Sequence, residues 1–288
     1  MPLVTTASLV DSAYHGGYGV GAFNVISLEH AEAIADGAER ANRPAIMQIS
    51  ENAVRFHRNR LEPLAAATVA VARVSSAPLA VHLDHIEDEG LLRQAGDNGI
   101  SSAMFDASAL DYRANLAATR SAAEWAHDNG IWLEAELGEV GGKDGAHAPG
   151  VRTDPDEAER FVAETGVDGL AVAVGSSHAM VDRTAALDIS LIETLARRLP
   201  VPTVLHGSSG VPDDALVAAV EAGMVKINVG TILNIAFTGV VRERLAADGG
   251  LVDPRKYLAA ARDAVGVEVA RILRVLASAS PAPSGSPT

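Results

Sequence analysis

Eight short apolar runs, separated by helical segments, constrain the fold of this chain more than any other feature of its sequence. They are VGAFNV (20–25), PAIMQIS (44–50), LAVHLDH (79–85), SSAMFDAS (101–108), IWLEAELG (131–138), GLAVAVG (169–175), PTVLHGS (202–208) and MVKINVG (224–230). Each has strand length, and turn residues bound most of them. Runs that are apolar on both faces belong to strands covered by helices on both sides. The intervening segments carry helical patterns. In SLEHAEAIADGAERAN, residues Leu28, Ala31, Ala35 and Ala38 form one apolar stripe. In DDALVAAVEAG, Pro212 and Asp213 mark a helix start and Gly223 a stop. Strands alternating with helices give an α/β fold with a parallel sheet. Eight is the number that closes a single (β/α)8 TIM barrel. An open doubly wound sheet is the alternative, but no GxGxxG follows the first strand to suggest a dinucleotide site.

No domain boundary interrupts residues 1–276, so one barrel domain is expected there. The Pro/Ser/Ala-rich tail ASASPAPSGSPT (277–288) has the composition of a disordered segment. The Gly-rich stretch GEVGGKDGAHAPGVRTD (138–154) is long for a strand-to-helix loop, and long loops in compact domains are usually functional or mobile. Acidic residues outnumber basic ones 37 to 23 and the basic ones form no runs, which argues against a nucleic-acid partner. With no cysteine, any metal must be held by His, Asp and Glu. The N-terminus lacks the basic-then-apolar pattern of a signal peptide, and no apolar run reaches the roughly 18 residues of a membrane span. These features predict a cytoplasmic protein without a membrane partner.

In a barrel, reactive groups collect at the C-terminal ends of the strands. Here those ends carry Asn24, Ser50, Asp84 and His85, Asp106, Glu134 and Glu136, His206 and Asn228, with His178 just beyond the sixth. His85, His178 and His206 form a candidate trio of metal ligands. Three histidines leave a fourth position open, the layout of a catalytic zinc site. His15, His30, His57 and His127 sit in helical or surface contexts and read as ordinary residues, while His147 falls in the long loop. His82, two residues before Asp84, reads as a supporting residue behind the ligands. HGSSG (206–210) after the seventh run and NVGT (228–231) after the eighth suit a phosphate, because loops there offer backbone N–H groups and hydroxyls near a helix start.

Taken together, HLDH, SSHAM, LHGSSG, KINVGT, EAELGEVGG and YGVGAFN resemble the class II, metal-dependent ketose-bisphosphate aldolases, which include fructose-1,6-bisphosphate and tagatose-1,6-bisphosphate aldolases. The resemblance runs from about Tyr18 to DPRKYL (253–258). It implies a (β/α)8 barrel that cleaves a ketose bisphosphate reversibly to dihydroxyacetone phosphate and an aldehyde. It implies that His85, His178 and His206 hold a catalytic zinc and that Asp84 handles the C4 hydroxyl proton. Asp106 and Glu136 match positions that bind a second divalent metal in some members. Asn24, Ser50 and Asn228 match substrate contacts, and Gly207, Ser209, Gly230 and Thr231 match the phosphate cradle. The resemblance also implies a homodimer or homotetramer.

Two positions depart from the family pattern. Ala179 stands where members usually have a Gly that brings backbone close to phosphate and a monovalent cation. The loop GGKDGAH offers Asp144 where members carry a proton-moving Glu. These departures motivate two alternatives, an aldolase for another keto-sugar phosphate and a non-catalytic sugar-phosphate-binding barrel. A Schiff-base aldolase would instead need a buried lysine, and Lys226 is the only one on a strand. The residue that reads the far end of the sugar is not evident; Arg255, or an arginine from a neighbouring subunit, is one assignment.

Overall fold

The computed structural model describes residues 3–137, 151–177, 180 and 182–279. His178, Ala179, Asp144 and His147, most of the long loop and the tail from residue 280 lie outside the described residues. Eight parallel strands close a barrel in chain order. They are β1 (Val20–Asn24), β2 (Ala45–Ser50), β3 (Leu79–Ile86), β4 (Ser102–Phe105), β5 (Trp132–Glu136), β6 (Gly169–Ala171), β7 (Thr203–Leu205) and β8 (Met224–Val229). Closure is made by β8 against β1, with Lys226 opposite Val20 and Asn228 opposite Ala22. The helices are α1 (Thr6–Gly16), α2 (Leu28–Ala41), α3 (Glu51–Phe56), α4 (Glu62–Val74), α5 (Glu89–Leu92), α6 (Tyr112–Asp128), α7 (Pro155–Thr165), α8 (Ile189–Arg198), α9 (Asp213–Glu221), α10 (Thr231–Ala247) and α11 (Pro254–Ala277). The expected single (β/α)8 barrel is therefore the fold observed.

The paired strands are shorter than several of the apolar runs. β6 stops at Ala171 although the apolar character continues through Val174, and β7 stops at Leu205, just before His206. Beyond β6 the backbone leaves the ladder and bonds to loops instead. Thr153 exchanges two hydrogen bonds with Ala173, and Asp188 N–H donates to the Val174 carbonyl. The α2 stripe also needs correction. Ala31, Ala35 and Ala38 are buried, joined by His30, Ala33, Ile34 and Gly37, but Leu28 is 46% exposed. Leu28 opens the helix, before the chain has descended onto the barrel wall. Pro212 caps α9 as expected, and Gly223 takes a positive φ of 108° just after it.

Side chains fill the barrel interior in layers, as close packing requires. At the N-terminal end, Leu9, Val10 and Ala13 of α1 pack on Ile46, Ala80 and Ala22 and plug the barrel. Above them Met104, Ala171 and Val204 touch across the axis. The outer wall is tightest between α2 and α11, which run in the same direction, Glu32 pairing with Arg262 and the Arg40 carbonyl with Arg274. Gly37 and Gly266 permit this approach. A Cβ on Gly37 would lie 2.6 Å from Val269 Cβ and 2.7 Å from the Gly266 carbonyl oxygen. In contrast, α10 packs on α11 and buries only Leu233.

Candidate active site

Consecutive residues on a strand point to opposite faces, so Asp84 and His85 should not both enter one site. They do, because β3 bulges there. Its register against β4 shifts between Leu83 and Ile86, and His85 takes a left-handed φ of 48°. That conformation costs a non-glycine residue about 1–3 kcal/mol, a strain that concentrates at functional sites. The bulge brings Asp84, His85 and His206 together, with one donor atom of each within 4.8 Å of the others. His85 and His206 come from strands facing each other across the barrel, yet His85 Nε2 lies 3.0 Å from His206 Nδ1.

The outward nitrogen of each imidazole is anchored by a carboxylate. His85 Nδ1 donates to Asp106 Oδ2 at 2.8 Å. His206 Nε2 donates to Glu134 Oε1 at 3.0 Å. In both cases the nitrogen facing the partner imidazole is the one left to coordinate, the usual arrangement of a metal-ligating histidine and its carboxylate. The described donor set therefore fits a divalent metal of imidazole preference. His85, Asp106 and Glu136 form a second group within the same distance limit. Burial opposes charge on His85, but the carboxylates of Asp84, Asp106 and Glu136 outweigh it and raise its pKa to about 10. Asp106 is held well below the usual carboxylate range, against its burial, by the His85 ring and by the Ser108 hydroxyl and N–H.

Asp84 is buried, and that burial pushes its pKa up. Its two oxygens are held from both sides, by Asn228 Nδ2 at 3.2 Å and Gln48 Nε2 at 3.3 Å. Gln48 also donates to Asn24 Oδ1 at 2.5 Å. Lys226 completes the frame. Its Nζ bonds Glu134 Oε2 at 2.8 Å and Asn228 Oδ1 at 2.7 Å, with the lysine and both acceptors buried. One lysine thus steadies the Glu134 behind His206 and the Asn228 beside Asp84. Committed to that role, Lys226 does not line the cavity and is not placed to be a Schiff-base nucleophile. His82 is also fully buried; its Nδ1 bonds Ser102 Oγ at 2.8 Å, Ser102 continues to Thr6, and His82 belongs to neither donor group.

These groups open into a cavity of about 410 Å³, within the size range of small-molecule sites. Asn24, Ser50, Asp84, His85, Asp106, Asn228, Gly207, Ser209, Gly230 and Thr231 line it, all of them singled out by the sequence. Glu136 stands behind, 3.8 Å from His206 Nδ1. On the side of β7 and β8, Gly207 has a φ of 67°, and a Cβ there would sit 2.5 Å from the Ser177 carbonyl oxygen. Ser209 Oγ accepts from Ile232 N–H at the start of α10, which ties the two small-residue loops into one cradle. Arg255 does not line the cavity; it is 89% exposed in its side chain and paired with Asp253. Gln48 was the supporting residue that the sequence reading passed over; it lies two positions before Ser50, and that spacing puts the pair on one strand face.

The family model for class-II fructose-bisphosphate aldolase matches residues 4–280. A fructose-bisphosphate aldolase from Geobacillus stearothermophilus is 36% identical over 285 residues, 98% of this chain and 99% of that one. One from Staphylococcus aureus is 36% identical over 268 residues, 92% of this chain and 94% of that one. Among solved structures, the YdjI aldolase from Escherichia coli K12 superposes with a TM-score of 0.84 at 29% identity, covering 96% of this chain and 98% of that one. The bulged Asp84–His85 pair facing His206 in a closed (β/α)8 barrel, read with these matches, makes the chain an aldolase, a carbon–carbon lyase, that belongs to the class-II fructose-bisphosphate aldolase family.

Proposed function

We propose that this protein catalyses the metal-dependent, reversible aldol cleavage of a ketose bisphosphate, fructose-1,6-bisphosphate or tagatose-1,6-bisphosphate, to dihydroxyacetone phosphate and an aldehyde. The observation that carries the reading is a buried carboxyl, Asp84, set beside two imidazoles whose coordinating nitrogens face each other. His85 and His206, with His178 from outside the described residues, would hold a zinc ion. When bound, the ion supplies Lewis acidity at the substrate's ketone and adjacent hydroxyl oxygens.

The chain's own residues account for the rest. Asp84 takes the C4 hydroxyl proton. The C4–O bond becomes a carbonyl, the C3–C4 bond breaks, and its electron pair stays on C3, conjugated with C2. Burial favours this proton uptake by raising the carboxyl's affinity for a proton. Gln48 and Asn228 keep both Asp84 oxygens in place. Backbone and hydroxyl groups of Gly207, Ser209, Gly230 and Thr231 cradle the C1 phosphate, and Asn24 and Ser50 contact the sugar. Asp144, outside the described residues, would return a proton to C3 in place of the Glu usual in the family. A second divalent metal would use Asp106 and Glu136, and a monovalent cation the backbone near Ala179.

We place this activity in one barrel domain over residues 1–276, with 277–288 as a tail, in a cytoplasmic homodimer or homotetramer. The exposed apolar side chains Ile235 and Leu245 on α10 support self-association. No helix among the described residues is long and apolar enough to cross a membrane. The test is dihydroxyacetone phosphate release from a panel of ketose phosphates. Release from fructose- or tagatose-bisphosphate is expected; a protein that binds them without cleaving any would contradict the proposal.

A further inference from the structure

The turn that carries Ser209 is held from two sides. It is a single helical turn, Ser208–Gly210, directly after β7 and Gly207. On the side of β8 it is tied by Ser208 Oγ, which donates to the Asn228 carbonyl, and by Ser209 Oγ, which accepts from Ile232 N–H. On the side of β6 it is tied by the segment that follows that strand. Ala185 N–H donates to the Gly210 carbonyl at 2.9 Å. Met180 fills the space that a side chain at Gly210 would need, since a Cβ there would lie 2.6 Å from Met180 Cβ.

Arg183 completes the second side. Its Nε and Nη2 both donate to the Val211 carbonyl, at 3.0 and 2.6 Å, and Nη2 also donates to Asp213 Oδ1. Val211 is wholly buried, and its N–H closes the turn on the Ser208 carbonyl. Pro212, the next residue, has no N–H and no side chain that can cap, so α9 begins without a side-chain cap. Its start is fixed from outside instead. Asp213 takes Arg183 on one oxygen and Arg271 of α11 on the other, the latter at 2.5 Å. Arg183 thus grips both ends of the Val211–Asp213 link between turn and helix. A guanidinium suits this task, because its fork holds several N–H donors in one plane. Arg183 does not line the cavity, so it acts on the site through the turn.

We infer that Arg183 is a positioning residue for phosphate binding: by clamping Val211 and Asp213 it fixes the Ser208–Gly210 turn on the side away from β8, and so holds Gly207 and Ser209 in place. This rests on the reading of those two residues as part of the phosphate cradle, and it adds a residue outside the cavity that sets the cradle's affinity.

The test measures inorganic phosphate binding to the zinc-loaded protein by calorimetry, beside KM and kcat for ketose bisphosphate cleavage. In Arg183→Met the phosphate Kd and the KM are expected to rise together by about 10-fold, the low end of what a charge-assisted hydrogen bond is worth, with kcat changed far less. Arg183→Lys keeps a cation for Asp213 but loses the fork, and its Kd should fall between wild type and Arg183→Met. Arg271→Met cuts the other side of Asp213. It should lower stability in urea unfolding while the phosphate Kd stays at the wild-type value. Wild-type phosphate affinity in the Arg183 variants that fold, or an equal loss of affinity in Arg271→Met, would overturn the inference and leave the aldolase reading intact. A wild-type protein that binds no phosphate and cleaves no ketose phosphate would remove that reading, and the inference with it.

Discussion

Burying a carboxylate is unfavourable unless the fold gives it partners, and Asp84 has been given partners that orient it without neutralising it. Gln48 and Asn228 donate to its oxygens through neutral amides. Removing the proposed proton acceptor while keeping this frame should therefore disable chemistry and little else. Asp84→Asn is expected to lower kcat by about 10²–10⁴-fold with KM changed far less, read from steady-state kinetics on a protein of unchanged circular dichroism. The lysine beneath it answers to a different measurement. Lys226→Met strands the buried Glu134, which should cost about 3–5 kcal/mol in denaturant unfolding. Adding Glu134→Gln should recover part of that loss, because the unpaired charge is then gone; fully additive losses would mean the pair is not coupled. Alternation along β5 and β8 was enough to place Glu134 and Lys226 inside the barrel. Their mutual contact was not legible, since it joins strands 92 residues apart in sequence.

At the scale of elements, the site depends on one irregularity. β3 has to break its own alternation for Asp84 and His85 to enter the cavity together, and the φ of 48° at His85 is where it does so. Sequence periodicity identified the strand but could not identify the bulge, because nothing in HLDH marks a left-handed residue as a glycine would. The end of β6 was overextended for a related reason. Apolar residues such as Val172 and Val174 are buried by loops as completely as by strands. The α2–α11 contact gives a sharper test of packing. Gly37→Ala should lower stability by about 1–3 kcal/mol through overpacking against Val269 and Gly266. The sign is opposite to the gain of about 1 kcal/mol that the same change brings to an exposed helix. A stabilised Gly37→Ala variant in thermal or urea unfolding would show that the two helices are free to separate.

For the whole molecule, two buried neutral imidazoles link folding to pH. Burial depresses the pKa of His30, stacked on Phe237, and of His82, enclosed in the barrel. In the unfolded chain both titrate near 6.5. Above that value neither state binds the extra protons and the stability is fully present. As pH falls below about 6.5 the unfolded state takes up protons that the folded state refuses. Stability then declines by up to about 1.4 kcal/mol per pH unit for each group, until the folded pKa is reached. Urea unfolding at pH 7.5 and 5.5 should show this loss, and His30→Phe should reduce it; a pH-independent midpoint would contradict the assignment. At this scale the sequence was most informative. Eight runs specified the barrel, the polar residues at their ends specified six of the groups that line the cavity, and the family resemblance added Gly207, Ser209, Gly230 and Thr231. What it could not supply was depth, namely which of those groups stand at the surface of the site and which stand behind it.

The central claim, that paired imidazoles beside a buried carboxyl make this a metal-dependent aldolase, is tested most directly by removing the metal and returning it. Protein stripped with a chelator should release no dihydroxyacetone phosphate from its ketose bisphosphate, and stoichiometric zinc should restore the release. Turnover that persists undiminished in the stripped protein would contradict the account.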